Sequence, residues 1–221
     1  MAIKKLDNRI VEYMERSISS RHRSMFFVCG DKSMDQVGYI HYTLQKCRQE
    51  ANMKEPSSIL WCFKKVPVTE NHRKRSLKRL RNCYTIDSAP CDDTMENFIL
   101  SSNPYLCHYS DTEKILGQTF SMLVVQDFEA LTPNTLARII ECVEGGGIII
   151  FVLPVPVMKL LGMQMDAHAK FATESHPCVK PLFNHRFVAS LKKTSGCMVL
   201  DDQLQIEWSP EPQVSFPAIV S

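Results

Sequence analysis

The run Cys29-Gly30-Asp31-Lys32-Ser33 joins an apolar stretch to a helical one, the position at which phosphate-binding loops sit. In such loops two glycines let backbone N–H groups wrap a phosphate while Lys and Ser reach it. Here the two positions are Phe26 and Asp31, and Asp31 places a negative charge against any phosphate. A capped turn is the expected role, with Asp31 and Lys32 kept as weak anion or metal candidates. A second run, Gln126-Asp127-Phe128-Glu129, also follows a hydrophobic stretch, where carboxylates hold magnesium in nucleotide-hydrolysing folds. Without a phosphate loop that chemistry lacks its other half, and carboxylates near a helix start are favoured by the helix dipole alone. Gly145-Gly146-Gly147 has the wrong order for a nucleotide loop, since it follows a predicted helix and precedes a predicted strand. It reads as a C-cap and tight turn. Cys107-His108 and His176-Pro177-Cys178 lack the spacing for chelating zinc from one turn, so no metal site is expected. No Gly-x-Ser-x-Gly elbow or His-Glu-x-x-His pair occurs, and the seven histidines give no assembled nucleophile, base and oxyanion site.

The densest charge lies elsewhere. Lys64, Lys65, Arg73, Lys74, Arg75, Lys78, Arg79 and Arg81 are opposed only by Glu70. On a helix, the residues from 73 to 81 wrap more than one face and can neutralise phosphates without reading bases. His72 and Tyr84 add possible stacking groups. The bland alternative is a solvated face.

These residues must be positioned by alternating elements. Asp7 is a candidate N-cap for a helix through Ser20, with Ile10, Met14 and Ile18 on one face. Ser24 to Cys29 is a continuous apolar run, the mark of a strand covered on both faces. Ser33 with Gln36 has capping-box spacing, and Val37, Ile40, Leu44, Cys47 and Ala51 follow at helical intervals. Ser58 to Phe63 predicts a strand, residues 70–83 a basic helix, 84–93 a polar loop and 94–101 a short helix. Strands are predicted at Tyr105 to Tyr109 and Phe120 to Gln126. A helix capped by Thr132 with Pro133 at its first position buries Leu136, Ile139, Ile140 and Val143. A strand at Ile148 to Leu153, a helix over 178–192 and a short strand at Cys197 to Leu200 complete the pattern. Strands separated by helices imply right-handed crossovers, hence an α/β, doubly wound, mainly parallel sheet with helices on both faces and no dinucleotide motif. One domain, 1–205, is expected, with a proline-containing tail or linker at 206–221.

Composition agrees with one core: 44% of the 221 residues are hydrophobic and 23% charged. The apolar run Gly147 to Met158 is broken by Pro154 and Pro156 and is about half the ~20 residues that span a bilayer, so no membrane association is expected. The polar start at Met1 has no secretory leader pattern, and nine cysteines, an odd number without a Cys-x-x-Cys pair, suit a reducing, intracellular setting. Net charge of +2 does not itself imply nucleic-acid binding.

Several segments, read in order, resemble one family. They include Lys4-Lys5-Leu6-Asp7-Asn8-Arg9-Ile10, Leu60-Trp61-Cys62-Phe63-Lys64-Lys65 with His72-Arg73-Lys74, Gln126-Asp127-Phe128-Glu129-Ala130-Leu131-Thr132-Pro133-Asn134, Val143-Glu144-Gly145-Gly146-Gly147 and Asp201-Asp202-Gln203-Leu204. This set is similar to the N-terminal domain of the RNA cytidine acetyltransferases, the family of eukaryotic N-acetyltransferase 10 and bacterial tRNA(Met) cytidine acetyltransferase. Residues 154–162 depart from that pattern. The resemblance implies a nuclear, nucleolar protein that acetylates the exocyclic amine of cytidine in small-subunit rRNA and tRNA, using acetyl-CoA and ATP with magnesium. In that family the ATPase, acetyltransferase and C-terminal RNA-binding segments follow this domain. No catalytic residue and no bound cofactor is therefore expected within these residues, and activity of this chain alone is not expected. RNA, the following modules and a second copy of the chain are the partners to consider. Three readings follow: an RNA-docking domain, a protein-interaction module or truncated paralogue without RNA binding, and a magnesium-holding pocket of Asp31, Asp127 and Glu129.

Overall fold

The apolar runs become the strands of one sheet, because a segment that is hydrophobic on both alternating faces is stable only when both are covered. The computed structural model describes residues 7–53, 58–65, 98, 102–177, 180 and 182–209. Its strands are β1 (Ser24–Cys29), β2 (Ile59–Phe63), β3 (Tyr105–His108), β4 (Phe120–Val125), β5 (Val143–Leu153), β6 (Cys197–Asp201) and β7 (Ile206–Trp208). Their order is β3-β2-β4-β5-β1-β6-β7, with every pairing parallel except β6 with β7. The helices are α1 (Asn8–Ser20), α2 (Gln36–Glu50), α3 (Pro133–Glu141), α4 (Asp166–Phe171) and α5 (Leu182–Leu191).

Alternation along each strand sends side chains to two separate cores. Phe26 and Val28 of β1, Trp61 of β2, Met122 and Val124 of β4, and Ile148, Ile150 and Val152 of β5 share one face with Ile10, Met14 and Ile18 of α1 and Val37, Ile40, Leu44 and Cys47 of α2. Phe27 and Cys29, Leu60 and Cys62, Leu123 and Val125, and Ile149, Phe151 and Leu153 share the other with Ile139 of α3 and Val188 and Leu191 of α5. The doubly wound α/β class read from the sequence is therefore the fold.

Local signals explain most boundaries. Asp7 caps α1 by accepting the Arg9 N–H at 2.9 Å, and Arg21 closes the helix in the left-handed region at φ 53°. Thr132 caps α3 by accepting the Thr135 N–H, with Pro133 where no N–H is needed.

Four expectations are corrected. The Ser33–Gln36 capping box does not form: Ser33–Asp35 makes a 3₁₀ turn with Ser33 buried, and α2 starts after it without a side-chain cap. Ala51, expected on the buried stripe of α2, is exposed at its C-cap. Gly145, Gly146 and Gly147 do not end α3, which stops at Glu141; they lie inside β5. There the register passes from Phe120↔Val143 to Met122↔Ile148, so β5 carries the excess length as a bulge. A Cβ on Gly145 would lie 2.7 Å from the Arg21 carbonyl, and one on Gly147 would lie 2.7 Å from the Ser121 carbonyl. Finally, β7 is an added strand, and with it the sheet reaches Trp208, inside the stretch expected to be a tail. Its short length and lack of alternation leave no period to read. The basic helix and the polar loop predicted over 70–93 lie outside the described residues.

Candidate functional site

The carboxyl edge of the sheet collects the residues with chemistry, as it does in open α/β folds generally. β1 continues through α2 on one face, while its neighbour β5 continues through a 3₁₀ turn at Val157–Gly162 and α5 on the other. The two connections therefore diverge at this point of the edge. Yet the loop after β1 does not suit an anion. The Ser33 and Asp35 amides are spent on the carbonyls of Gly30 and Lys32, and a Cβ on Gly30 would lie 2.8 Å from the Asp202 Cβ. A phosphate there would meet the Asp202 carboxylate where a wrapping loop needs open N–H groups.

The ordered polar network lies two strands away, at the ends of β3, β2 and β4. Asp127 stands two residues past the end of β4 and sits in the left-handed region at φ 54°, which Asp tolerates better than most residues. Its Oδ2 accepts the backbone N–H groups of Lys64 at 3.0 Å and Lys65 at 2.8 Å. On the opposite side of Lys64, its carbonyl accepts from His108 Nε2 at 2.9 Å, while His108 Nδ1 accepts the Ser110 N–H. That pattern assigns the ring hydrogen to Nε2. Gln126 ties the layer to the core: its Oε1 accepts from Trp61 Nε1 at 3.1 Å, and its carbonyl accepts the Tyr109 hydroxyl. The chain leaving β2 is thus gripped from both neighbouring strands.

The lysine side chains are already engaged. Lys64 Nζ reaches Asp166 Oδ2 of α4 at 2.5 Å, and Lys65 Nζ reaches Glu129 Oε1 at 3.2 Å. The hydrogen bond to Glu129, then the charges of Glu129 and Asp127, raise the Lys65 pKa above the usual lysine value. Both lysines are exposed and their pairs are screened, so these contacts bias direction more than they stabilise.

Of the eight basic residues predicted to meet RNA, Lys64 and Lys65 stand at this edge, while Arg73, Lys74, Arg75, Lys78, Arg79 and Arg81 lie outside the described residues. Asp127 and Glu129 are near each other through the Lys65 contacts, but one serves two amides and the other an ammonium. Among the described residues, no three His, Cys, Asp or Glu groups converge as a metal site, so Asp31, Asp127 and Glu129 do not make the magnesium pocket. Cys107 points into the core beside Cys62, its register partner, whereas His108 points the other way, as adjacent strand residues must. Cys178 lies outside the described residues. The six described cysteines are buried, and burial pushes the Cys29 and Cys197 thiols up to about 11, which removes them as nucleophiles.

Sequence reasoning missed His108 and Asp166 as members of this network. Asp127 and Glu129, placed after a hydrophobic stretch, and Lys64 and Lys65, at the head of the basic stretch, carried the readable signals.

Comparison with known proteins points the same way. The family described as tRNA(Met) cytidine acetyltransferase TmcA, N-terminal, matches residues 1–202. The chain is 43% identical over 207 residues to the RNA cytidine acetyltransferases of Mus musculus and Homo sapiens, covering 92% of this chain and 20% of each relative. Against the RNA cytidine acetyltransferase of Saccharomyces cerevisiae it is 37% identical over 211 residues, again covering 20% of the relative. The chain therefore spans about a fifth of the length of the curated relatives it matches.

Proposed function

Since the chain belongs to the RNA cytidine acetyltransferase family through its N-terminal domain, we propose that it is a non-catalytic docking domain, whose sheet presents the basic stretch from Lys64 to Arg81 to RNA. In this reading the acetylation of cytidine in small-subunit rRNA and tRNA, with acetyl-CoA and ATP, is the work of segments that follow this domain in its relatives. Nuclear and nucleolar residence belongs to the same proposal. Among the described residues, no helix is long and apolar enough to cross a membrane.

The observation that carries the reading is the grip on Lys64 and Lys65. A flexible basic stretch attracts phosphates anywhere, but a stretch whose first residues are fixed by Asp127 and His108 leaves the sheet in a set direction. Fixing the root lowers the ordering entropy that binding must overcome. The phosphates of ATP or acetyl-CoA do not fit the loop after β1, where Asp202 stands and the Ser33 and Asp35 amides are spent, so neither group is given a step in this domain. Ultraviolet crosslinking of the whole chain to a tRNA transcript tests the assignment. Crosslinked peptides should map to residues 64–84, and crosslinks confined to other surfaces would reject it.

A second reading, docking of protein partners or a second copy without RNA, is favoured by exposed apolar side chains between Met158 and Trp208. Phe171 is 71% exposed, Leu182 59% and Met158 54%. On that reading the lysines are merely solvated, and the same crosslinking experiment yields no RNA adduct.

A further inference from the structure

Helix α4 stands beside the root of the basic stretch with little to hold it there. Of its six residues, Asp166, Ala169, Lys170 and Phe171 are exposed, Ala167 and His168 are half-buried and none is buried. Its length is far below the ~12–15 residues at which an isolated helix becomes marginal in water, so its position depends on contacts with other elements. Met165, directly before it, is buried in the core, and the Met165 N–H donates to His168 Nδ1 at 3.3 Å, which fixes the start of the helix. The Asp166 carboxylate then reaches across 102 residues of chain to Lys64 Nζ.

That pair has the properties of a latch. Its two side chains are 42% and 45% exposed, so water and salt reach both partners. Ion pairs of this kind are weak and are screened as ionic strength rises. A phosphate approaching Lys64 meets the Asp166 carboxylate, a like charge, at the same ammonium, so the two anions compete for it. Lys65 supplies the contrast. Its partner Glu129 sits in the 3₁₀ turn at Phe128–Ala130, which buried Phe128 anchors, so loss of that pair frees a lysine without freeing an element.

We propose that α4 is a strap held beside the root of the basic stretch by the Lys64–Asp166 pair, and that an RNA phosphate opens it by displacing Asp166 from the Lys64 ammonium. The opening step rests on the RNA-docking reading, whereas the latch does not. A phosphate that lands on Lys64 releases a carboxylate, which regains its own counterions. Lys64 therefore adds little to the salt dependence of binding while Asp166 is present.

Hydrogen–deuterium exchange of the whole chain at short labelling times, read on peptides covering residues 166–172, tests both parts. Without RNA at low salt, Asp166→Asn should exchange faster there than the parent chain, and Asp166→Glu should restore the parent's protection. Salt at about 1 M should remove the difference by breaking the parent's pair. Glu129→Gln should leave these peptides unchanged. A tRNA transcript should speed exchange at 166–172 in the parent and add little in Asp166→Asn. The Asp166→Asn chain should also bind the transcript about two- to five-fold more tightly, with a log–log salt slope steeper by about 1. Equal exchange in the parent and Asp166→Asn chains would overturn the latch whether or not RNA binds. A transcript that binds while exchange at 166–172 of the parent stays the same would overturn the opening step and leave the RNA reading standing. Failure of every chain to bind the transcript would reject that reading, and the opening step with it.

Discussion

Asp127 shows how one residue combines an unfavourable backbone with a useful side chain. Left-handed φ costs most residues about 1–2 kcal/mol, and each neutral hydrogen bond returns about 0.5–1.5 kcal/mol net, more when the acceptor is charged. Asp127→Asn keeps tolerance for this φ and one amide oxygen acceptor. Asp127→Ala loses both, so in urea denaturation it should be less stable than Asp127→Asn by about 1–3 kcal/mol. Equal stabilities would show that the two amide contacts contribute nothing. His41 of α2 makes a second residue-scale case. It is 5% exposed, its ring meets Phe98 edge-on, and Nε2 has no partner among the described residues. Burial lowers its pKa from 6.5 to about 4. The unfolded chain therefore binds the proton first as pH falls, and the native state loses stability between pH 6.5 and about 4. From about pH 7 to about pH 5 the loss should be on the order of 2 kcal/mol from this group. His41→Leu should flatten that part of the stability profile, and an unchanged slope would place the titration elsewhere.

At the scale of elements, the glycine bulge in β5 explains a tight approach that no periodicity reveals. Gly147→Ala pushes a methyl group against the Ser121 carbonyl and Val143, whereas Gly162→Ala meets nothing within 4 Å. The first should cost about 1–3 kcal/mol by overpacking and the second should be nearly neutral, as read from denaturation midpoints. Similar values for the two would remove the steric account. Beside the bulge, Arg48 of α2 is 4% exposed at its side chain and pairs with Glu144 of β5 at 2.5 Å. Removing one partner of such a pair leaves a stranded charge, so Glu144→Ala should destabilise by about 3–5 kcal/mol, also measured in urea. The strands and the two faces were legible because alternation decides them: Phe26 and Phe27 must part company across the sheet. Thr132-Pro133 was legible because its chemistry is local. Gly145–Gly147, the 3₁₀ turn at Ser33 and the Arg48–Glu144 pair were not. Each depends on what another segment brings alongside, and the sequence of one segment does not encode its neighbour's carbonyl.

For the whole molecule, the same division holds between fold and site. Alternating strands and helices dictated a doubly wound sheet, and that sheet in turn dictated that Lys64, Asp127 and Asp202 share its carboxyl edge. Pairing at that edge was invisible, since His108 and Asp166 are far from Lys64 in sequence and carry no motif. The central claim is that the basic stretch beginning at Lys64 holds RNA by its phosphates. It is tested most directly by the salt dependence of tRNA binding for the whole chain and for the chain with Arg73→Ala, Lys74→Ala, Lys78→Ala and Arg79→Ala. Weakened affinity is expected, with a log–log salt slope shallower by about 1 for each phosphate that the substituted chain leaves unneutralised. An identical slope and affinity in both proteins would contradict it.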